Sequence, residues 1–172
     1  MRTRGFSIRH SLFVIYFVNV VLVEPEIPPN TGNVARLCAA TRSVLHLIEP
    51  FGFKLDDAQL KRAGMDYWQQ VEWHRWKNWS AFVEKLPAGA RLWFVESNGG
   101  KLYSEVQFEP DDYLVFGRET AGLPIKLLAE SPDRWLRIPM FNAQSRSLNL
   151  LNCVALVLFE ALRQQGFQGE TV

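Results

Sequence analysis

The sequence lacks the side-chain groupings by which disulfide-rich proteins and metalloproteins are recognised. It contains only two cysteines, Cys38 and Cys153, and they do not form a CxxC pair. Each lies in a helix-like apolar pattern, so we expect two buried, reduced thiols in a cytoplasmic protein. The histidines His10, His46 and His74 are scattered, and no carboxylate cluster has the spacing of metal ligands. We therefore predict neither a disulfide nor a metal site.

Long apolar runs are also missing. The strongest candidate, residues 12–23, is interrupted by Asn19 and is too short to span a bilayer, which argues against a membrane protein. Together with the charged residues 1–4 it imitates the start of a signal peptide, but no small-residue cleavage site follows it. We interpret residues 1–17 as an added amino-terminal tail and residues 18–172 as one domain.

The chain has almost no net charge, and it lacks the common phosphate-binding loops. Its 19 basic and 18 acidic side chains give a formal net charge of +1, so any RNA would have to be bound by local basic patches. No Gly-Lys-Ser/Thr follows a glycine-rich turn, and no GxGxxG follows the first strand, which argues against a P-loop and against a nicotinamide cofactor. No serine lies in a nucleophile elbow, so covalent serine catalysis is disfavoured.

What the chain does contain is an alternation of strand-like and helix-like apolar patterns. This alternation predicts an α/β fold with a mostly parallel sheet and helices on both faces. The predicted strands are residues 19–23, 44–48, 71–73, 92–95, 113–116 and 135–138. The predicted helices are residues 31–40, 57–63, 80–85, 124–129 and 147–164.

Three segments follow a predicted strand and lead into a predicted helix, namely residues 24–36, 115–124 and 138–149. In open α/β sheets ligands bind at the carboxyl ends of the strands, so these segments predict one composite site. Arg36 lies off the apolar stripe of its helix and would point toward this edge, where a guanidinium can bind phosphate or polarise a hydroxyl. An ordinary solvated arginine is the alternative. Ser147 would contact a ligand or only cap the last helix.

The last predicted helix is apolar around nearly its whole circumference. Its apolar residues are Leu148, Leu150, Leu151, Val154, Leu156, Val157, Leu158, Phe159 and Leu162. A helix that is apolar on all sides must be buried on all sides, so we expect one face on the sheet and the other, including Val157 and Leu158, in a homodimer. The alternative is a central helix that is covered by its own chain.

An ordered set of motifs is similar to that of a known enzyme family. The motifs are EPEIPPNTGNVARLCA from residue 24, IEPFGF from residue 48, KRAGMDY from residue 61, VFGRETAGLP from residue 115, IPM from residue 138 and SRSLNL from residue 145. In this order they resemble the SPOUT superfamily of RNA methyltransferases, and within it the tRNA wobble-nucleotide 2′-O-methyltransferases. The resemblance covers about residues 19–168.

The resemblance implies an S-adenosylmethionine-dependent enzyme that methylates the ribose 2′-hydroxyl of a wobble cytidine or modified uridine in tRNA, with leucine tRNAs as the expected substrates. It also implies a trefoil knot near the carboxyl end, which is an exception to the rule against threaded connections, and a homodimer packed through the last helix. The cofactor contacts that it implies are Val95, Gly117, Ile138 and Ser147.

For catalysis, the resemblance assigns activation of the 2′-hydroxyl to Arg36 and substrate contacts to Asn30 and Asn149. A guanidinium is a poor base, so the acceptor of the hydroxyl proton stays open. The alternatives are methylation of another tRNA or rRNA site and a non-catalytic RNA-binding assembly protein.

Four residues depart from the usual motifs of these enzymes. Arg118 and Ala121 stand where the sequence FGPETRG is usual, Leu151 replaces a serine, and Phe159 replaces a tyrosine that the resemblance associates with handling of the tRNA. We expect the cofactor fold to tolerate all four, so they bear on the choice of tRNA.

Overall fold

The computed structural model of the protein describes residues 18–54, 68–129, 131–142, 144–145 and 147–171. The predicted tail, residues 1–17, and the predicted helix at residues 57–63 lie outside the described residues. Within these ranges, no helix has the length and apolar character needed to cross a membrane.

The described strands form a single parallel sheet. They are β1 (Asn19–Val23), β2 (Val44–Ile48), β3 (Trp73–Trp76), β4 (Leu92–Val95), β5 (Lys101–Leu102), β6 (Tyr113–Phe116) and β7 (Trp135–Arg137). Their order across the sheet is β3-β2-β1-β6-β4-β7-β5, and each pair of neighbours runs parallel. The prediction of a mostly parallel sheet is therefore confirmed.

The differences from the predicted strands lie at or next to the two edges of the sheet. The four central strands β1, β2, β4 and β6 have the predicted bounds. At one edge, β3 covers residues 73–76 instead of 71–73, and near the other, β7 ends at Arg137 instead of Ile138. The two-residue strand β5 was not predicted, because a strand of that length shows no alternation of apolar and polar residues.

Helices cover both faces of the sheet, as the alternation of elements predicts. They are α1 (Pro28–Thr41), α2 (Trp79–Val83), α3 (Ile125–Ala129) and α4 (Leu150–Gln164). In β1, Val20 and Leu22 pack in the core on the face that α1 and α4 cover. Val21 and Val23 pack on the opposite face, with Phe82 of α2 and Leu127 of α3.

Both cysteines are free thiols, and the prediction that both are buried is confirmed for Cys38 but not for Cys153. Cys38 is buried in α1 and Cys153 is half-buried in α4. Burial raises the pKa of the Cys38 thiol to about 12, so that this side chain behaves as a small apolar group.

Helix α4 has a buried face and an exposed apolar face, but the two were assigned wrongly from the sequence. Val157 and Leu158 are fully buried, so the prediction that they face outward is wrong. They share the helix face of Val154, which packs in the core on the sheet. On the outer face, Leu156 and Phe159 are 41% and 47% exposed.

A buried histidine joins the first three strands. His46 of β2 accepts a hydrogen bond at Nδ1 from the indole N–H of Trp76 in β3 (3.1 Å), which places its proton on Nε2. That Nε2–H faces Oδ1 of Asn19 in β1, also at 3.1 Å. Burial, and to a lesser extent the nearby His74, lowers the pKa of His46 from 6.5 to about 3. The neutral imidazole is therefore the form that the fold stabilises.

We expect the protein to lose stability below pH 6.5 because of His46. The unfolded chain binds a proton at His46 near pH 6.5, whereas the folded chain does so only near pH 3. Between these values the free energy of unfolding should fall by up to about 1.4 kcal/mol per pH unit from this group. Urea unfolding of wild type and of His46→Gln between pH 4.5 and 7 isolates the contribution of His46 to this pH dependence. The carboxylates titrate in both proteins, whereas only the wild type carries the imidazole. Equal pH slopes would show that His46 does not contribute.

Candidate active site

A cleft of about 330 Å³ opens at the carboxyl ends of β4, β6 and β7. The four residues that the resemblance assigns to the cofactor, Val95, Gly117, Ile138 and Ser147, all line this cleft. They come from three segments that lie far apart in the chain and meet because parallel strands end at the same edge of the sheet. Of the three segments predicted to form one composite site, residues 115–124 and 138–149 contribute to the cleft lining, whereas no residue of 24–36 does and the segment after β4 takes its place.

A tight loop after β6 forms one wall of the cleft. The backbones of Arg118 and Gly122 exchange two hydrogen bonds, at 3.1 and 2.9 Å. A Cβ atom on Gly117 would overlap the backbone of Gly122 and Leu123, and one on Gly122, which has φ of +67°, would overlap the Glu96 carboxylate. The wall therefore needs glycine at both positions to keep this shape.

The Glu119 carboxylate ties this loop to the start of α1. It accepts hydrogen bonds from the backbone N–H of Glu26 (2.9 Å) and Ile27 (3.3 Å), and from the amide of Asn30 (3.1 Å). In return, the Glu26 carboxylate accepts bonds from the backbone N–H and the hydroxyl of Thr120, which lower the pKa of Glu26. These reciprocal bonds hold the segment after β1 against the segment after β6.

Asn30 and Asn149 contact each other rather than lying separately at the edge. The Asn149 amide donates to Oδ1 of Asn30 (3.1 Å), and Oδ1 of Asn149 accepts from the backbone N–H of Leu151 (2.9 Å). Asn149 is therefore the N-cap of α4, and Ser147 precedes the helix and lines the cleft. A continuous set of hydrogen bonds joins the loop after β6, the start of α1 and the start of α4.

Arg36 lies on the exposed side of α1, off the buried stripe that contains Val34 and Cys38, as predicted. It is not among the described residues that line the cleft. Asn30 and Arg36 are six residues apart, or about 9 Å along the axis of the helix. The described chain therefore brings Asn30 to the cleft loop and leaves Arg36 on the adjoining surface.

The carboxylates of the site were missed from the sequence. Glu96 and Glu119 line the cleft, and the Glu96 carboxylate accepts hydrogen bonds from the backbone N–H of Ser97 and Leu123, both at 2.9 Å. Apart from Ser97, which is adjacent to Glu96, the partners of these carboxylates are distant in the chain, and no local pattern reveals them. The available signal was the placement of Glu119 between Gly117 and Gly122.

The described part of the site is suited to an organic ligand rather than to a metal ion. No three His, Cys, Asp or Glu side chains among the described residues are grouped so that they could hold a metal. The cleft wall combines apolar side chains, such as Val95 and Leu148, with carboxylates and backbone groups of the glycine loop. Such a mixture is typical of sites for small organic molecules.

A parallel sheet covered on both faces, with a glycine-walled cleft at its carboxyl edge, defines an α/β domain of the class that binds small molecules there. The chain belongs to the SpoU rRNA Methylase family, whose model matches residues 18–159.

Relatives and solved structures extend this match. A tRNA (cytidine(34)-2'-O)-methyltransferase from Saccharophagus degradans is 53% identical over 154 residues, which are 88% of this chain and 97% of that protein. A solved structure that concerns the 2-OH methylation of C/U34 on tRNA is 45% identical, with a TM-score of 0.82 over 88% of this chain and 92% of that one. An AdoMet-bound rRNA methyltransferase from Sinorhizobium meliloti is 26% identical, with a TM-score of 0.69 over 86% of this chain and 56% of that one.

Proposed function

We propose that the protein is an S-adenosylmethionine-dependent tRNA methyltransferase that methylates the ribose 2′-hydroxyl of nucleotide 34. The observation that carries this proposal is the 53% identity to a tRNA (cytidine(34)-2'-O)-methyltransferase across 97% of its length. The substrate nucleotide is cytidine or a modified uridine, in tRNA of the cytoplasm, and leucine tRNAs are the species we expect.

The cleft fits S-adenosylmethionine in size and in chemistry. Its volume of about 330 Å³ lies within the range of small-molecule sites. Val95 and Ile138 supply apolar contacts, the glycine wall at Gly117 allows a ligand to approach the backbone, and Ser147 offers a hydroxyl. The negative charges of Glu96 and Glu119 favour a sulfonium cation nearby. When bound, the cofactor supplies an activated methyl group.

The reaction requires the 2′-hydroxyl to lose its proton as its oxygen attacks the methyl carbon. The guanidinium of Arg36 is a poor proton acceptor but a good partner for developing negative charge. We assign it the activation of the hydroxyl through stabilisation of that charge, with the proton leaving to an acceptor that stays open. Asn30 and Asn149 shape the substrate side of the site through their shared hydrogen bond.

Residues 18–172 act as one domain in this proposal, with the trefoil knot of SPOUT enzymes near its carboxyl end. Two positions that depart from the usual motifs lie where they can affect RNA binding. Ala121 is exposed in the loop after β6, and Leu151 is half-buried at the start of α4. They leave the reaction unchanged and bear on which tRNA is chosen.

The active form is a homodimer packed through α4. Leu156 and Phe159 are 41% and 47% exposed, and these two residues, three apart in the helix, form an apolar patch on its outer face. Contiguous exposed apolar surface of this kind marks interaction sites. A second copy of the same helix is the simplest cover for it.

We expect Phe159→Asp to convert the dimer into a monomer, because it would bury an unpaired carboxylate in the interface. The dissociation constant should rise by roughly 100-fold or more. Sedimentation velocity at micromolar concentrations measures the change. Val83→Asp is a matched control, since Val83 is 43% exposed and lies in α2, away from α4. A wild-type protein that sediments as a monomer would contradict the dimer.

The proposed function is tested in cells by nucleoside mass spectrometry of tRNA from a deletion strain. We expect the loss of a ribose methyl from nucleotide 34 of a few tRNAs, with all other modifications retained. Loss of a methyl from another tRNA position or from rRNA would assign the same chemistry to a different substrate. An unchanged set of ribose methyls would favour a non-catalytic RNA-binding role.

A further inference from the structure

The loop after β6 carries an arginine whose hydrogen-bonding capacity is not used. Arg118 is the one cationic side chain among the described residues that line the cleft. Its Nε–H is buried and has no hydrogen-bond acceptor in the part of the chain that the structure describes. Because Nε is covered by the protein, a ligand in the cleft would meet the terminal N–H groups of this guanidinium, and a hydrogen bond to a charged group of this kind is worth about 1.5–3 kcal/mol.

Glu24 holds the guanidinium in place without satisfying it. Glu24 follows β1 and Arg118 follows β6, and these two strands are paired in the sheet. The distance from Nη1 of Arg118 to Oε2 of Glu24 is 3.6 Å, which is longer than the about 2.7–2.9 Å of a charge-assisted hydrogen bond. The Arg118 side chain is 37% exposed and lines the cleft, whereas Glu24 lies outside the cleft lining.

The charges around the cleft indicate which end of a ligand would meet Arg118. The other charged groups of the wall, Glu96 and Glu119, are negative, and backbone N–H groups already occupy their oxygens. Their charge favours the cationic part of S-adenosylmethionine, whereas Arg118 favours an anionic part. That cofactor has one anionic group, the α-carboxylate of its methionine half.

We propose that Arg118 binds the α-carboxylate of the methyl donor. The guanidinium fork matches the geometry of a carboxylate, and its two terminal nitrogens can each donate an N–H to one of the carboxylate oxygens. The assignment rests on the proposed function, because it takes S-adenosylmethionine as the ligand. It gives a role to a residue that replaces the proline of the usual FGPETRG motif.

Calorimetry with two ligands tests the assignment. S-adenosylhomocysteine carries the α-carboxylate, and S-adenosyl-3-thiopropylamine is the same molecule without it. We expect Arg118→Ala to weaken binding of the first ligand by about 10- to 100-fold, and to change binding of the second by less than about twofold. Arg118→Lys should recover part of the loss, since it keeps the charge but not the fork. Lys126→Ala removes an exposed cation outside the cleft, so it should leave the affinity for both ligands unchanged.

The outcomes separate this assignment from the proposed function. If wild type binds neither ligand, the proposed function fails. If wild type binds both but Arg118→Ala weakens them equally, or weakens neither, only the assignment of Arg118 is overturned. Unchanged ligand binding with weaker tRNA binding and a smaller salt dependence would assign Arg118 to an RNA phosphate instead.

Discussion

Arg36→Ala is expected to lower the single-turnover rate of methyl transfer to tRNA by roughly 10²- to 10⁴-fold, the range for loss of a group that assists proton removal or stabilises an oxyanion. Affinity for S-adenosylhomocysteine should be nearly unchanged, because Arg36 does not line the cleft. Stability should change by less than about 0.5 kcal/mol, since the side chain is exposed and alanine favours a helix.

Two control variants make this result specific. Lys85→Ala removes the same charge from an exposed position beyond α2, and should leave the rate within about twofold of wild type. Arg36→Lys keeps the charge without the planar fork, so its rate of methyl transfer should lie between those of wild type and Arg36→Ala. If Arg36→Ala transfers the methyl group at a near-normal rate, Arg36 is an ordinary surface arginine.

Gly117→Ala should weaken binding of S-adenosylhomocysteine by roughly 10- to 100-fold. The added methyl group would overlap the backbone of Gly122 and Leu123, which cannot move away as a flexible side chain could. Overpacking of this kind costs about 1–3 kcal/mol, and the displaced loop is the wall of the cleft. Because Glu119 in the same loop is bonded to the start of α1, tRNA methylation should fall as well.

The matched control for this variant is Gly100→Ala, in the segment between β4 and β5. A Cβ atom at Gly100 has no neighbour within 4 Å, so this substitution should leave ligand binding unchanged. Calorimetry of both variants, with circular dichroism to confirm folding, makes the comparison. Wild-type affinity in Gly117→Ala would mean that the cofactor binds away from this loop.

The central strands could be predicted from the sequence because their apolar runs are long enough to be recognised locally. The buried strand β1 has the predicted bounds, as has β6. The order of the strands could not be predicted, since no local pattern records which strands are neighbours. Helix α1 begins at Pro28, three residues earlier than predicted, because proline is accepted in a first helical turn.

The site was predictable in outline but not in its connections. Gly117 and Ser147 line one cleft, as expected from their motifs. The bonds from Glu119 to Glu26 and Asn30 span about ninety residues of sequence, and spacing along the chain does not reveal them. The outer face of α4 was misassigned because apolar residues occur around nearly its whole circumference, so only its packing on the sheet shows which of them are buried.

The most direct test of the account is methylation in vitro with purified protein, isotope-labelled S-adenosylmethionine and unmodified tRNA transcripts. Mass spectrometry of nuclease fragments locates the label. We predict one labelled methyl group per tRNA, on the ribose 2′-oxygen of nucleotide 34, and its absence when that nucleotide carries a 2′-deoxyribose. Label on a base, or on the ribose of another nucleotide, would contradict the account.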